Sequence, residues 1–173
     1  ESLKKTIPVK PKPAKKWPMA NHARKMLVLD GCVQPVLAPN INAATARVLD
    51  NLGISLIMAE KAGCCGAVTF HLNAQQEALD YMRRNIDAWW PWIERDEVEA
   101  IVVTASGCGV TVKEYGHVLR HDPVYAEKAA RISALAKDIS EILYVELENI
   151  ARLMIKQNAN TDKIKLSFHS PCT

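Results

Sequence analysis

Short apolar runs that end in a small-residue turn and a thiol recur along this chain. Met26-Leu27-Val28-Leu29 leads to Cys32, Ile54-Ser55-Leu56-Ile57-Met58 to the adjacent pair Cys64-Cys65, and Ile101-Val102-Val103 to Cys108. Ile164-Lys165-Leu166-Ser167-Phe168 leads in the same way to Cys172. Such runs, bounded by glycine and rich in β-branched residues, read as strands, and the stretches between them carry apolar residues at helical spacing. This alternation confines the chain to an α/β fold: a mostly parallel sheet with helices on both faces. The run 100–105 is almost wholly apolar, as a strand covered on both faces requires. Ligands bind such sheets at the carboxyl ends of the strands, and every cysteine group falls there.

The remaining elements follow from spacing and punctuation. A helix is expected from Asn40, with Ile41, Ala44, Val48 and Leu52 on one face and Gly53 as its stop. Another begins near Asn73, with Gln76 completing a capping box, and should end or kink at Pro91. Helices are expected at about 109–119 and 123–136, and a strong one from Asp138 with Ile139, Ile142, Leu143, Leu147, Ile150 and Met154 in register.

Composition narrows the function. No run approaches the roughly 18 to 20 apolar residues needed to span a bilayer, and no signal-peptide pattern opens the chain. Glu1 in place of Met is what a piece of a longer protein would show. Residues 1–25 hold eight Lys or Arg and one Glu, interleaved with Pro8, Pro11, Pro13 and Pro18 and a single aromatic, Trp17. That pattern reads as a semi-rigid, solvated linker rather than a nucleic-acid arm. No other segment is basic enough for a nucleic-acid groove. Five cysteines without a secretory signal favour metal or redox chemistry over disulfide bridges.

Cys32, Cys64, Cys65 and Cys108 all sit near expected helix starts, where backbone N–H groups stabilise thiolates. Four thiolates suffice for tetrahedral zinc or for an iron–sulfur cluster. The chain has no C-x-x-C knuckle of the kind structural zinc sites use, and two vicinal thiolates strain a single tetrahedral ion. A cluster with several irons offers them separate corners. Taken singly, Cys32 or Cys108 reads more readily as a small buried hydrophobe than as a ligand.

The spacing resembles a known family. Cys32 and Cys64 are separated by 31 residues, and Cys65 and Cys108 by 42, within the segments VLDGCVQPVLAPNINAATARVL, EKAGCCGAVTFHL and TASGCGVTVKEYGHVL. This is similar to the cysteine-rich CCG domain of heterodisulfide reductases, lactate-utilisation proteins and the iron–sulfur subunits of glycolate oxidases, the wording being closest to the last. The resemblance implies three parts: the linker 1–25, a first CCG repeat over 26–160, and the opening of a truncated second repeat over 161–173. In that alignment Cys172 corresponds to Cys32. It further implies a 4Fe-4S-type cluster on Cys32, Cys64, Cys65 and Cys108 in the full-length subunit, one that a fragment short of a thiol should lose easily, and a flavoprotein partner subunit of glycolate oxidase that carries FAD. The chain would then pass electrons from 2-hydroxy-acid oxidation to an acceptor without itself catalysing that oxidation. Its implied location is cytoplasmic, with peripheral association at the inner membrane.

The family's fullest pattern ends in C-x-x-C, whereas Thr111 stands three residues after Cys108. One thiol of the fullest set is therefore missing, and His71 or Cys172 is a candidate to complete the site, with His117 and His121 behind them. Lys61 and Lys113 could offset thiolate charge. Trp89, Trp90 and Trp92 suit either a partner interface or packing. Two other readings remain: a subunit-docking domain with a zinc or metal-free cysteine site, and a thiol–disulfide domain using Cys64-Cys65.

Overall fold

The computed structural model describes residues 13–156. The expected strand at 164–168, Cys172 and the second-repeat segment 161–173 lie outside the described residues. The elements run β1 (Arg24–Val28), α1 (Gln34–Leu37), α2 (Asn40–Asn51), β2 (Ile54–Met58), α3 (Ala67–His71) and α4 (Gln75–Glu94). They continue with β3 (Ile101–Val103), α5 (Ser106–Lys113), α6 (Tyr115–Val118), α7 (Ala126–Leu135), β4 (Ala136–Asp138), α8 (Ile139–Val145) and α9 (Leu147–Lys156).

The four described strands form one all-parallel sheet in the order β2-β1-β3-β4. Strand alternation divides its core in two. Leu27, Leu29, Ile101 and Val103 face Met82, Ile86 and Trp89 of α4 together with Val112 of α5 and Ile132 of α7. Met26, Val28, Ile54, Leu56 and Val102 face Ala46 and Leu49 of α2 and Ile142 of α8. Helices thus cover both faces, as the apolar runs require.

Four expectations are corrected. In α2 the packed residues are Asn42, Ala43, Thr45, Ala46 and Leu49, while Ile41 and Val48 are exposed. Small side chains let this helix approach the sheet closely. Its two buried polar residues are satisfied: Thr45 Oγ1 donates to the Ile41 carbonyl at 3.1 Å and Asn42 Nδ2 to that of Asp30 at 3.2 Å. Second, α4 continues through Pro91 to Glu94. Burial of Trp89 and Ile93 on either side outweighs a proline penalty of roughly 3 kcal/mol.

Third, the Asn73–Gln76 capping box does not form. Asn73 adopts φ 63°, a short α3 precedes it, and Ala74 caps α4 without a side-chain bond. Fourth, β4 has no apolar run to announce it. As an edge strand it tolerates Lys137, and its Asp138 forms the true capping box of α8 with Glu141.

The described part of the basic segment, exposed over most of its length, touches β2 and its neighbours through Trp17, Ala20 and His22. Trp17 Nε1 donates to the Leu56 carbonyl at 3.0 Å, Ser55 Oγ donates to the Ala20 carbonyl at 3.0 Å, and His22 meets Asp50 at 2.8 Å. An edge strand has unpaired backbone groups, and this arm covers some of them. Of the tryptophans, Trp89 is wholly buried, and Trp90 and Trp92 pack against the same core. Lys128 lies 5.2 Å over the Trp90 ring and Arg95 5.9 Å over that of Trp92. Core packing accounts for Trp89.

Candidate metal centre

Three loops at the carboxyl edge of the sheet deliver the four thiols. After β1 the chain turns at Gly31, with φ 82°, and presents Cys32 exposed ahead of α1. After β2 the loop passes through Gly63-Cys64-Cys65 to Gly66 at the foot of α3. Gly66 has φ 88°, and a Cβ there would stand 3.0 Å from the Ala78 carbonyl oxygen of α4, so the position excludes side chains twice over. After β3, Thr104 and Ala105 lead into α5. Cys108 lies inside the first turn of that helix rather than ahead of it.

The thiols adjoin in series: Cys32 beside Cys64, Cys64 beside Cys65, and Cys65 paired with Cys108. Cys65 is 2% exposed, yet its pKa is pulled down to about 6. The main cause is the hydrogen bond from Cys108, helped by the Ala67 backbone N–H at the start of α3. The Cys108 thiol is pushed up by the same pairing and by burial, so of the two it is Cys65 that gives up its proton first. Burial raises Cys64, partly offset by the Gly66 N–H, which reaches its Sγ at 3.5 Å.

A buried polar clamp holds the vicinal pair. Gly63 N donates to Asn85 Oδ1 at 2.9 Å, and Asn85 Nδ2 donates to the Cys64 carbonyl at 2.8 Å and to Tyr115 Oη at 3.1 Å. Tyr115 Oη in turn donates to the Cys65 carbonyl at 2.8 Å. Both side chains are fully buried. Burial raises the phenol's pKa, which keeps it protonated and a donor. A second network steadies the neighbouring loops: Gln34 Nε2 donates to Thr104 Oγ1 at 2.8 Å, and Thr104 Oγ1 to Asn42 Oδ1 at 2.7 Å. Asn42 Nδ2 closes it on the Asp30 carbonyl.

The structure therefore brings together Cys32, Cys64, Cys65 and Cys108 and leaves the expected neighbours outside. His71 is exposed, its ring edge-on to Phe70 with centroids 6.4 Å apart, and His117 and His121 are exposed. Lys113 pairs with Glu141 at 2.6 Å, and Lys61 is exposed. Cys172 lies outside the described residues. Among the described residues no three His, Cys, Asp or Glu side chains are gathered around a single point as an ion site. A series of four sulfurs, one of them with a lowered pKa, suits a group with several metal atoms better than one small ion. That donor set fits an iron–sulfur cluster.

Sequence reading missed Asn85, Tyr115, Asn42 and Thr104. One signal was present: Asn85 occupies the buried stripe of α4 with Met82, Ile86, Trp89 and Ile93, where a polar residue needs a partner.

Comparison with known proteins agrees with the motif spacing. A model of the cysteine-rich CCG domain matches residues 26–113, which include all four thiols. The glycolate oxidase iron-sulfur subunit of Escherichia coli (strain K12) is 53% identical over 174 aligned positions, covering the whole of this chain and 40% of that protein. The probable glycolate oxidase iron-sulfur subunit of Bacillus subtilis (strain 168) is 30% identical over 125 positions, 72% of this chain and 27% of that protein. Lactate utilization protein A of Bacillus licheniformis is 25% identical over 141 positions, 82% and 54% respectively. The chain thus spans between about a quarter and about half the length of these relatives. No solved structure matches it.

Proposed function

The chain belongs to the CCG cysteine-rich domain family, and from that premise we propose that it is the cluster-holding part of an iron–sulfur subunit of a 2-hydroxy-acid oxidase of the glycolate oxidase kind. The observation that carries this reading is the series of four thiols drawn from three loops onto one sheet edge. Cys32, Cys64, Cys65 and Cys108 would hold a 4Fe-4S-type cluster, which when bound supplies one-electron transfer. The protein's own part is to present sulfur. The pairing that lowers the pKa of Cys65 favours its thiolate, the form that binds metal. Packing of Cys65 and Cys108 against the α4–α5 core keeps water from the inner side of the site, and exposed Cys32 leaves the other side open.

In this reading the flavin, FAD, sits on a partner flavoprotein subunit that oxidises the 2-hydroxy acid, and this chain relays electrons toward an acceptor. No helix among the described residues is long and apolar enough to cross a membrane. The proposed site of action is the cytoplasmic side of the inner membrane, held there through partners.

Anaerobic reconstitution with iron and sulfide tests the reading. The expected result is broad visible absorption and bound iron and sulfide, both lost in Cys65→Ser. Zinc at one per chain, or no metal uptake by the wild type, overturns it. One observation favours a second reading: a thiol of lowered pKa at Cys65 paired with one of raised pKa at Cys108 is also what a thiol–disulfide centre needs. A mixed disulfide trapped on Cys65 with a small thiol would support that alternative.

A further inference from the structure

The vicinal thiols are the least adaptable part of the site, and the reason lies in two residues that never touch a sulfur. Asn85 reaches the loop from α4 and Tyr115 from α6. Together they occupy one backbone donor and two backbone acceptors within three consecutive residues, Gly63 to Cys65. The Asn85 amide orientation follows from its partners: Gly63 N–H needs an acceptor and the Cys64 carbonyl needs a donor. Main-chain carbonyls on both vicinal cysteines are therefore already engaged on the core side. We propose that Asn85 and Tyr115 are positioning residues, a buried amide–phenol clamp that fixes the Gly63–Cys65 backbone so that both vicinal sulfurs stand ready for the metal group before it arrives.

This inference rests on the iron–sulfur reading for its consequence, but its physical content holds in the metal-free protein. Polar groups that orient ligands from behind typically govern metal affinity by roughly 10- to 100-fold. Tyr115 is suited to that part because its ring is packed in the core while its hydroxyl alone meets the loop. Tyr115→Phe therefore removes the contact and keeps the packing. Asn85→Leu removes all three of the amide's bonds at similar volume.

The test has two arms on the full chain. In the metal-free, reduced protein, native-state modification by iodoacetamide is followed by peptide mass spectrometry, reading Cys64 and Cys65 against Cys32. Tyr115→Phe should raise that ratio about tenfold, the change expected when local opening is eased by one hydrogen bond's net worth. Ile54→Val, a core change on the opposite face of the sheet, serves as the control and should leave the ratio unchanged. After reconstitution with iron and sulfide, iron loss to a chelator should speed roughly 10- to 100-fold in Tyr115→Phe and Asn85→Leu but not in the control. A wild-type ratio in Tyr115→Phe, or an equal rise in Ile54→Val, overturns the clamp. If the wild type takes up no iron, the iron–sulfur reading fails by itself, and the thiol ratio still decides the clamp.

Discussion

The loop bearing Cys64-Cys65 and the loop bearing Cys32 reach the same sheet edge in different physical states. The first is tied down by backbone bonds to two fully buried side chains, and its closing glycine fits against the α4 backbone. The second holds an exposed thiol, turns at Gly31 with open space around it, and continues into a four-residue helix whose Val36 and Leu37 are exposed. Its anchor is the Gln34–Thr104–Asn42 chain, half-buried at Gln34 and Thr104 and buried at Asn42. One side of the site is therefore preset and the other can adjust. That division suits a centre that must hold its metal yet remain reachable from outside.

The largest expected effect sharpens the contrast at the sulfurs. Cys65→Ser should abolish iron and sulfide retention, whereas Cys32→Ser should leave a weakened but measurable uptake, read by metal analysis after anaerobic desalting. Equal loss in both would break the distinction. Next are the two left-handed glycines. Gly66→Ala meets both a disfavoured φ and a backbone oxygen at 3.0 Å, and should cost about 2 to 3 kcal/mol, or roughly 5 to 10 °C in Tm. Gly31→Ala meets only the φ penalty and should cost about 1 kcal/mol. Denaturant titration of the two variants side by side decides it.

A smaller effect is expected at the Cys32 anchor. Thr104→Val keeps shape and loses two half-buried hydrogen bonds, so about 1 kcal/mol of stability should go, with the Cys64 modification rate unchanged. The smallest is a pH dependence of the metal-free protein. With Cys65 held at about 6 in the folded state against about 8.5 unfolded, the unfolded chain binds more protons between those values. Stability should therefore rise with pH across that window and be lost as pH falls through about 6. Chemical denaturation at stepped pH should show this slope in the wild type and a flatter one in Cys65→Ser.

Much of this was legible in the sequence. The apolar runs gave β1, β2 and β3 to within two residues, and the parallel arrangement followed from their being continuous rather than alternating. Asp138 and Glu141 marked the start of α8, although the long helix expected there divides at Glu146. The packed face of α2 was misread because hydrophobicity favours Ile41 and Val48, whereas close approach favours Ala43 and Ala46. The docked arm at 13–23 was hidden by its charge: its hold on β2 comes from Trp17, Ala20 and His22, not from its lysines' ammonium groups.

By itself the sequence determined the alternation of strand and helix, and with it the placement of every described thiol-bearing loop at the carboxyl edge. Local patterns suffice for that, because strand ends and glycine turns are properties of a few consecutive residues. Tertiary structure alone decided which thiols adjoin, that pairing lowers the pKa of Cys65 and raises that of Cys108, and that Asn85 and Tyr115 grip the loop between them. Those facts depend on groups 20 to 50 residues apart meeting in a dry interior, where each hydrogen bond and each charge carries more weight than it does in water.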